Sequence, residues 1–152
     1  MLKIDIICIA NIKNNAFADL IEMYQKRIHW PVNVIAMESK HKAPRKCQED
    51  ETQKILKHLN NQAVVIALDE RGKSIPSLEF SKKIENFVYE GRNHIQFVIG
   101  GADGLLPDVR KRANILWSFG KQTWPHALAR VMLLEQIYRT QQILAGHPYH
   151  RE

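Results

Sequence analysis

Two stretches concentrate the groups with chemical potential. The first is His147-Pro148-Tyr149-His150-Arg151-Glu152, which gathers two imidazoles, a phenol, a guanidinium and a carboxylate. Histidine moves protons near neutral pH, and arginine grips phosphate with paired hydrogen bonds. The plainer alternative is a frayed, solvated terminus. His147 and His150 have His-x-x-His spacing, but Pro148 keeps the pair off a helix and no third ligand lies nearby, so no metal is expected. The second stretch is Gly100-Gly101-Ala102-Asp103-Gly104, whose bare backbone lets a ligand approach closely. It is neither GxGxxG nor a Walker A loop, since no Gly-Lys-Ser/Thr follows, and it stands after the fourth apparent strand. A tight turn and a ligand loop both remain open.

Two basic clusters, Lys40 to Lys46 and Arg110 to Arg112, are able to neutralise phosphates, and three tryptophans offer stacking surfaces. The ordinary role of such clusters is a solvated face. Trp117 lies inside an apolar run and reads as core, whereas Trp124, before Pro125, is better placed for contact. Cys8 reads as a small apolar filler.

These residues need elements to position them. Leu2 to Ile9 reads as a strand entering a buried sheet, and Phe17, Leu20, Ile21, Tyr24 and Ile28 recur at helical spacing up to a stop at Pro31. Val32 to Met37 is a second strand, followed by a polar basic loop from Ser39 to Lys46 and a helix carrying Ile55, Leu56 and Leu59. Ala63 to Leu68 lacks polar alternation, as expected of a strand covered on both faces. A turn around Arg71-Gly72-Lys73 leads to a helix capped by Ser77 and ended by Gly91. Ile95 to Ile99 is another buried strand, and Pro107 opens a short basic helix. Ile115 to Phe119 is a last strand, and a long helix through Leu128, Val131, Met132, Glu135 and Tyr138 ends at Gly146 and Pro148. Alternating strands and helices predict an α/β fold on a mainly parallel sheet flanked by helices. Ligands in such sheets sit at the carboxyl ends of the strands, which selects the loops after Leu68, Ile99 and Phe119.

Composition narrows the class. The 152 residues carry 22 Lys+Arg against 16 Asp+Glu, a formal charge of +6, with 45% apolar and 25% charged residues. That balance excludes intrinsic disorder and a disulfide scaffold, and the length predicts one domain over residues 1–152. Two cysteines without CxxC spacing point to a reducing compartment. Lys3 and Asp5 break the first apolar stretch and no run approaches the roughly 20 residues of a membrane span. A cytoplasmic protein with no membrane partner is therefore expected.

Taken in order, Phe97-Val98-Ile99-Gly100-Gly101-Ala102-Asp103-Gly104, Trp117-Ser118-Phe119, Pro125-His126-Ala127-Leu128-Ala129-Arg130-Val131, Glu135-Gln136-Ile137-Tyr138-Arg139 and the terminal His147 to Glu152 closely resemble the RlmH family of the SPOUT methyltransferase superfamily. The likeness spans the whole chain. The resemblance implies a trefoil-knotted α/β domain, a rare exception to unknotted topology. It also implies a homodimer that moves the methyl group of S-adenosylmethionine to N3 of a pseudouridine in 23S ribosomal RNA on assembled ribosomes. By motif position, the cofactor-binding residues are Leu68, Gly100, Gly101, Phe119, Gly120, Lys121, Gln122, Thr123 and Trp124. They fall in the same three strand-end loops.

N3 of pseudouridine is a weakly acidic imide, so its attack on a methyl carbon requires loss of a proton, and the methyl donor needs no metal. Tyr149, His150 and Arg151 are the expected catalytic residues, reaching the pocket of the other subunit to orient the uracil ring and stabilise its developing charge. His126, Arg130 and His147 are expected substrate contacts, or braces for the tail. The plainer role for Arg130 is an ion pair with Glu135 or a helix end. A catalytically inactive, knotted RNA- or ribosome-binding module is the alternative of a different class, and turnover separates the two.

Overall fold

In the computed structural model, which describes residues 1–10, 12 and 15–151, five parallel strands carry helices on both faces. The chain runs β1 (Lys3–Ile9), α1 (Ala16–Arg27), β2 (Val32–Met37), α2 (Pro44–His58), β3 (Val64–Ser74), α3 (Ser77–Tyr89), β4 (His94–Ile99), α4 (Pro107–Arg112), β5 (Ile115–Ser118) and α5 (His126–Leu144). The strand order is β2-β1-β4-β3-β5 and every pairing is parallel. All strand carboxyl ends therefore share one edge.

Side-chain alternation divides the core in two. Ile4, Ile6, Val64, Ile66, Ile95 and Phe97 face α1, α3 and α5, where they meet Ile21, Phe80, Ile84, Leu133, Leu134 and Ile137. Ile7, Ile9, Val65, Ala67 and Val98 face α2 and α4, where they meet Ile55 and Val109. Trp117 is core, as its sequence setting predicts: it stacks on Phe80 at 3.8 Å and is 2% exposed. Cys8 is buried, with its thiol donating to the Ile35 carbonyl at 3.7 Å.

Three local expectations are corrected. The basic stretch is a loop only to Ala43, because Pro44 starts α2 and places Arg45, Lys46 and Cys47 on the helix. A proline suits the first helical turn, where its missing N–H costs nothing. Ser77 is the first helical residue rather than the cap; Pro76 holds the cap position, and the Ser77 hydroxyl donates to Gln136 Oε1 at 2.6 Å. The turn at Arg71-Gly72-Lys73 is an excursion inside β3: Leu68 and Lys73 both pair with Trp117, and the residues between them leave the ladder. Gly72 fits there because a Cβ would lie 2.3 Å from the Leu116 carbonyl oxygen.

Candidate functional site

The loops after β4 and β5 and the excursion inside β3 after Leu68 converge on a crevice of about 620 Å³ at the carboxyl edge of the sheet. Its walls are Leu68 to Arg71, Ile99 to Leu105, Trp117, Phe119, Gly120, Gln122 to His126, and Ala129. Of the nine residues assigned to cofactor binding, Leu68, Gly100, Gly101, Phe119, Gly120, Gln122, Thr123 and Trp124 line this crevice; Lys121 is exposed and does not.

Each loop is held by its own bonds. Arg71 N–H donates to Asp69 Oδ1 at 2.8 Å, which fixes the excursion after Leu68. Gly104 N–H closes on the Gly101 carbonyl at 3.0 Å, and Gln48 Nε2 on α2 donates to the Asp103 carbonyl at 2.8 Å. Gly100 lies so close to Leu105 that a Cβ would come within 2.8 Å of its Cδ2. In the third loop, Ser118 Oγ donates to the Gly120 carbonyl and receives the Gly120 N–H, while Trp124 Nε1 donates to the Phe119 carbonyl at 3.1 Å. Gly120 has φ +114°, a conformation that glycine adopts without steric cost.

Behind the glycine loop stands Glu51 of α2. Its carboxylate oxygens lie 2.8 Å from where a Gly101 Cβ would be, and the residue is 7% exposed. Burial pushes this carboxyl above its ordinary range, with nearby Asp103 and Asp50 adding repulsion. The Cys47 thiol donates to it at 3.5 Å, and burial raises the thiol as well. Gln48 and Glu51 are supports that the sequence reading missed. Their spacing of three residues on α2 turns both toward the loop, but only the packing of α2 against residues 101–104 shows what they support.

His126 opens α5 on the crevice wall, and its buried Nδ1 takes no hydrogen bond among the described residues. Arg130, one turn on and 4% exposed, does not line the crevice. Its Nη2 donates to the Ala10 carbonyl at 2.7 Å, clamping a residue held at φ +83°, while Nε is without a partner among the described residues. Among the described residues, Arg130 thus pairs with neither Glu135 nor the tail.

The tail is ordered against α5 rather than frayed. Tyr149 Oη donates to Glu135 Oε1 at 3.2 Å, and its ring meets Tyr138 edge-on at 4.9 Å, with the Arg139 guanidinium 4.8 Å from its centre. Arg139 Nη1 donates to His150 Nδ1 at 3.0 Å and Nη2 reaches Glu135 at 2.6 Å. Burial and the Glu135 charge raise the Tyr149 phenol. His147 is exposed and accepts the Tyr149 N–H at Nδ1, and Arg151 is exposed. Glu152 lies outside the described residues. None of Tyr149, His150 and Arg151 lines the crevice of its own chain. Glu135, which accepts the Tyr149 hydroxyl, lines a second hollow of about 560 Å³ that shares Trp117, Phe119 and Gly120 with the first.

A glycine loop and two neighbours closing over the carboxyl edge of a parallel sheet define a small-ligand crevice of the α/β type, and the comparisons give its class. The architecture matches that of a probable methylase family protein from Haemophilus influenzae Rd KW20, with TM-score 0.59 at 12% identity, covering 100% of this chain and 72% of that one. A putative methylase family protein from Neisseria gonorrhoeae gives TM-score 0.57 at 12% identity, covering 99% and 87%. At such identity the likeness concerns the fold. A family model described as predicted SPOUT methyltransferase matches residues 2–150.

The chain belongs to the SPOUT methyltransferase family and, within it, to the RlmH group. Relatives named Ribosomal RNA large subunit methyltransferase H include that of Rhodospirillum centenum, 46% identical over 88% of this chain and 88% of its own. Those of Zymomonas mobilis and Clostridium botulinum are 41% and 44% identical over 99% of this chain and 99% and 100% of their own. Among the described residues, no helix is long and apolar enough to cross a membrane and no cluster of three metal-ligating side chains occurs.

Proposed function

We propose that this protein methylates N3 of a pseudouridine in large-subunit ribosomal RNA on assembled ribosomes, using S-adenosylmethionine, and that it does so in the cytoplasm as a homodimer. The observation that carries the reading is the convergence of the β4 and β5 loops and the β3 excursion on one crevice, in a chain whose relatives are named as ribosomal RNA methyltransferases. Ribosomal RNA as substrate rests on those names. The donor, the atom and the dimer rest on the family motifs.

The crevice suits such a donor. Its volume is in the range of small-ligand sites. Leu68, Trp117, Phe119 and Trp124 offer apolar and aromatic walls for adenine, and the Gly100–Gly104 and Phe119–Trp124 backbones offer polar groups, Lys121 by its backbone alone. Asp69 and Asp103 put carboxylates beside a ligand that carries sulfonium and ammonium charge. The unpaired His126 Nδ1 is a polar atom that a bound molecule would satisfy. When bound, S-adenosylmethionine supplies an electrophilic methyl carbon.

The chain's part is positioning and proton handling. In the free chain Tyr149 and His150 are tied to Glu135 and Arg139, away from the crevice. The catalytic role proposed for them is in the crevice of a second copy, with Arg151 beside them. There a phenol, an imidazole and a guanidinium orient the uracil ring, accept the imide proton and stabilise the anion that remains. Leu128, Met132, Tyr138 and Ile143 stay partly exposed along α5 and supply apolar surface for that contact. Alignment of nitrogen and methyl carbon accounts for most of the acceleration. Proton transfer adds about 10²- to 10⁴-fold.

The test is transfer of labelled methyl from S-adenosylmethionine to ribosomes lacking the modification, with ribosomes that carry uridine at the same position as control. Label on N3 of one pseudouridine is expected, and none on the control. Removing residues 149–152 should abolish transfer while leaving the fold and most cofactor affinity intact. A truncated protein that still turns over would refute the role of the tail.

A further inference from the structure

We propose that the exposed strap Lys40–Lys46, and not the α4 cluster, is the surface that takes the phosphodiester backbone of the RNA beside the crevice; the inference rests on the ribosomal RNA reading above. The geometry separates the two basic clusters that the sequence leaves equivalent. The strap follows the carboxyl end of β2, and because every strand is parallel, it lies on the edge that carries the crevice. It joins the crevice directly: Gln48, the residue after Cys47, holds the Asp103 carbonyl in the glycine loop. Residues 40–46 are all exposed.

The clusters also differ in how their side chains are tethered, although neither Lys40, Lys42 and Lys46 nor the α4 cations form an ion pair among the described residues. Glu49 takes Arg45 at 2.8 Å and Asp50 takes Lys54 at 3.0 Å, so these acids of α2 are already engaged. The first turn of α2 holds Arg45 and Lys46 and no acid, an order of charge that the helix dipole disfavours and a bound anion would relieve. In α4, by contrast, Arg110 donates to the Leu105 carbonyl and Arg112 to the Asn60 carbonyl at 2.7 Å. Asn60 precedes β3, so Arg112 is committed to the opposite edge of the sheet.

Polyanion binding is read from its salt dependence, because each phosphate neutralised releases counterions. Affinity for large ribosomal subunits is measured between 50 and 200 mM salt for the wild type, for Lys40→Ala/Lys42→Ala/Lys46→Ala and for Arg110→Ala/Lys111→Ala/Arg112→Ala. The strap variant should lose about 2 from the slope of log affinity against log salt, at roughly 0.7 to 0.9 per contact. It should keep its thermal midpoint and its affinity for S-adenosylmethionine, and the α4 variant should lose less than half as much slope. A strap variant with the wild-type slope, or an α4 variant that loses as much, overturns the proposal. Methyl transfer by the wild type is scored separately: its absence would sink the enzymatic reading, while the slopes still decide which surface meets RNA.

Discussion

Gly101→Ala probes the support that α2 gives to the glycine loop. Gly101 has no positive φ, so alanine is allowed there by its backbone and the added methyl is the whole perturbation. That methyl would stand 2.8 Å from both Glu51 oxygens and 3.1 Å from Cδ, where ordinary contact starts at 3.4 Å. The carboxylate must therefore retreat by 0.6 Å (3.4 minus 2.8), or the loop must move into the crevice by as much. Glu51 is 7% exposed and touches Cys47, so retreat is obstructed. Overpacking of this kind costs about 1–3 kcal/mol. If about 1–2 kcal/mol falls on the loop, S-adenosylmethionine binds roughly 5- to 30-fold more weakly, at about 1.4 kcal/mol per tenfold. Glu51→Ala deletes the three atoms nearest the new methyl, so the double variant should recover most of the loss, a coupling of about 1–2 kcal/mol. Calorimetric titration of the four proteins with S-adenosylmethionine measures it, and thermal unfolding controls for the fold. If Gly101→Ala weakens binding equally with and without Glu51, the clash is not the mechanism.

Three further outcomes are expected. Glu51 has a raised folded-state pKa, so its protonated form is favoured by folding: stability is fully present at low pH and falls as pH rises through that pKa. Glu51→Gln should therefore raise the thermal midpoint at pH 7, with the gain vanishing as pH falls below the ordinary carboxylate range; equal gains at both ends would refute this. Gly72→Ala would put a Cβ 2.3 Å from the Leu116 oxygen and 2.5 Å from its carbonyl carbon, both backbone, so β3 and β5 must part. A loss of about 3 kcal/mol and a midpoint lower by ~6–12 °C are expected. Arg139→Ala removes the cation from the Tyr149 ring and the donor from His150, so hydrogen exchange over residues 147–151 should quicken while exchange in β4 stays unchanged.

Elements whose burial is written in their own composition were legible in the sequence. Val64 to Leu68 is apolar throughout, and Ile95 to Ile99 is apolar but for the buried Gln96, which bonds to Asp5 and the His58 carbonyl, because helices cover both faces of these strands. Features decided by distant partners were not legible. The excursion after Leu68 depends on β5 pairing twice at Trp117, and the role of Gly72 depends on Leu116, far along the chain. Ser77 has a side chain suited to capping, but Gln136 of α5 claims its hydroxyl. Arg130 has Glu135 nearby in sequence, yet its partner is the Ala10 carbonyl, 120 residues away. Local propensity proposes and tertiary contact decides.

The candidate site itself divides along the same line. Its crevice half was readable because strand ends in a parallel sheet converge whatever their side chains: the segments after Leu68, Ile99 and Phe119 do meet, although the one after Leu68 is an excursion within β3 and not a strand end. Its tail half reads as chemistry without an address. In the structure Tyr149 and His150 are satisfied on α5: Glu135 accepts the phenol and Arg139 donates to the imidazole. Moving them into a crevice of the same chain would break those bonds and those of the Tyr149 ring to Tyr138 and Arg139. A second copy offers a different route, because a tail held on α5 is already presented at a surface that another chain can meet. The bonds of Glu135 and Arg139 then become what orients the tail for its partner. On this argument Arg139→Ala should lower turnover while leaving the affinity for S-adenosylmethionine unchanged, and mixing it with Gly101→Ala protein, at S-adenosylmethionine concentrations too low to fill the weakened crevice, should restore at most one competent site in each proposed dimer. Activity from that mixture no greater than the sum of its parts would refute a tail that works in trans.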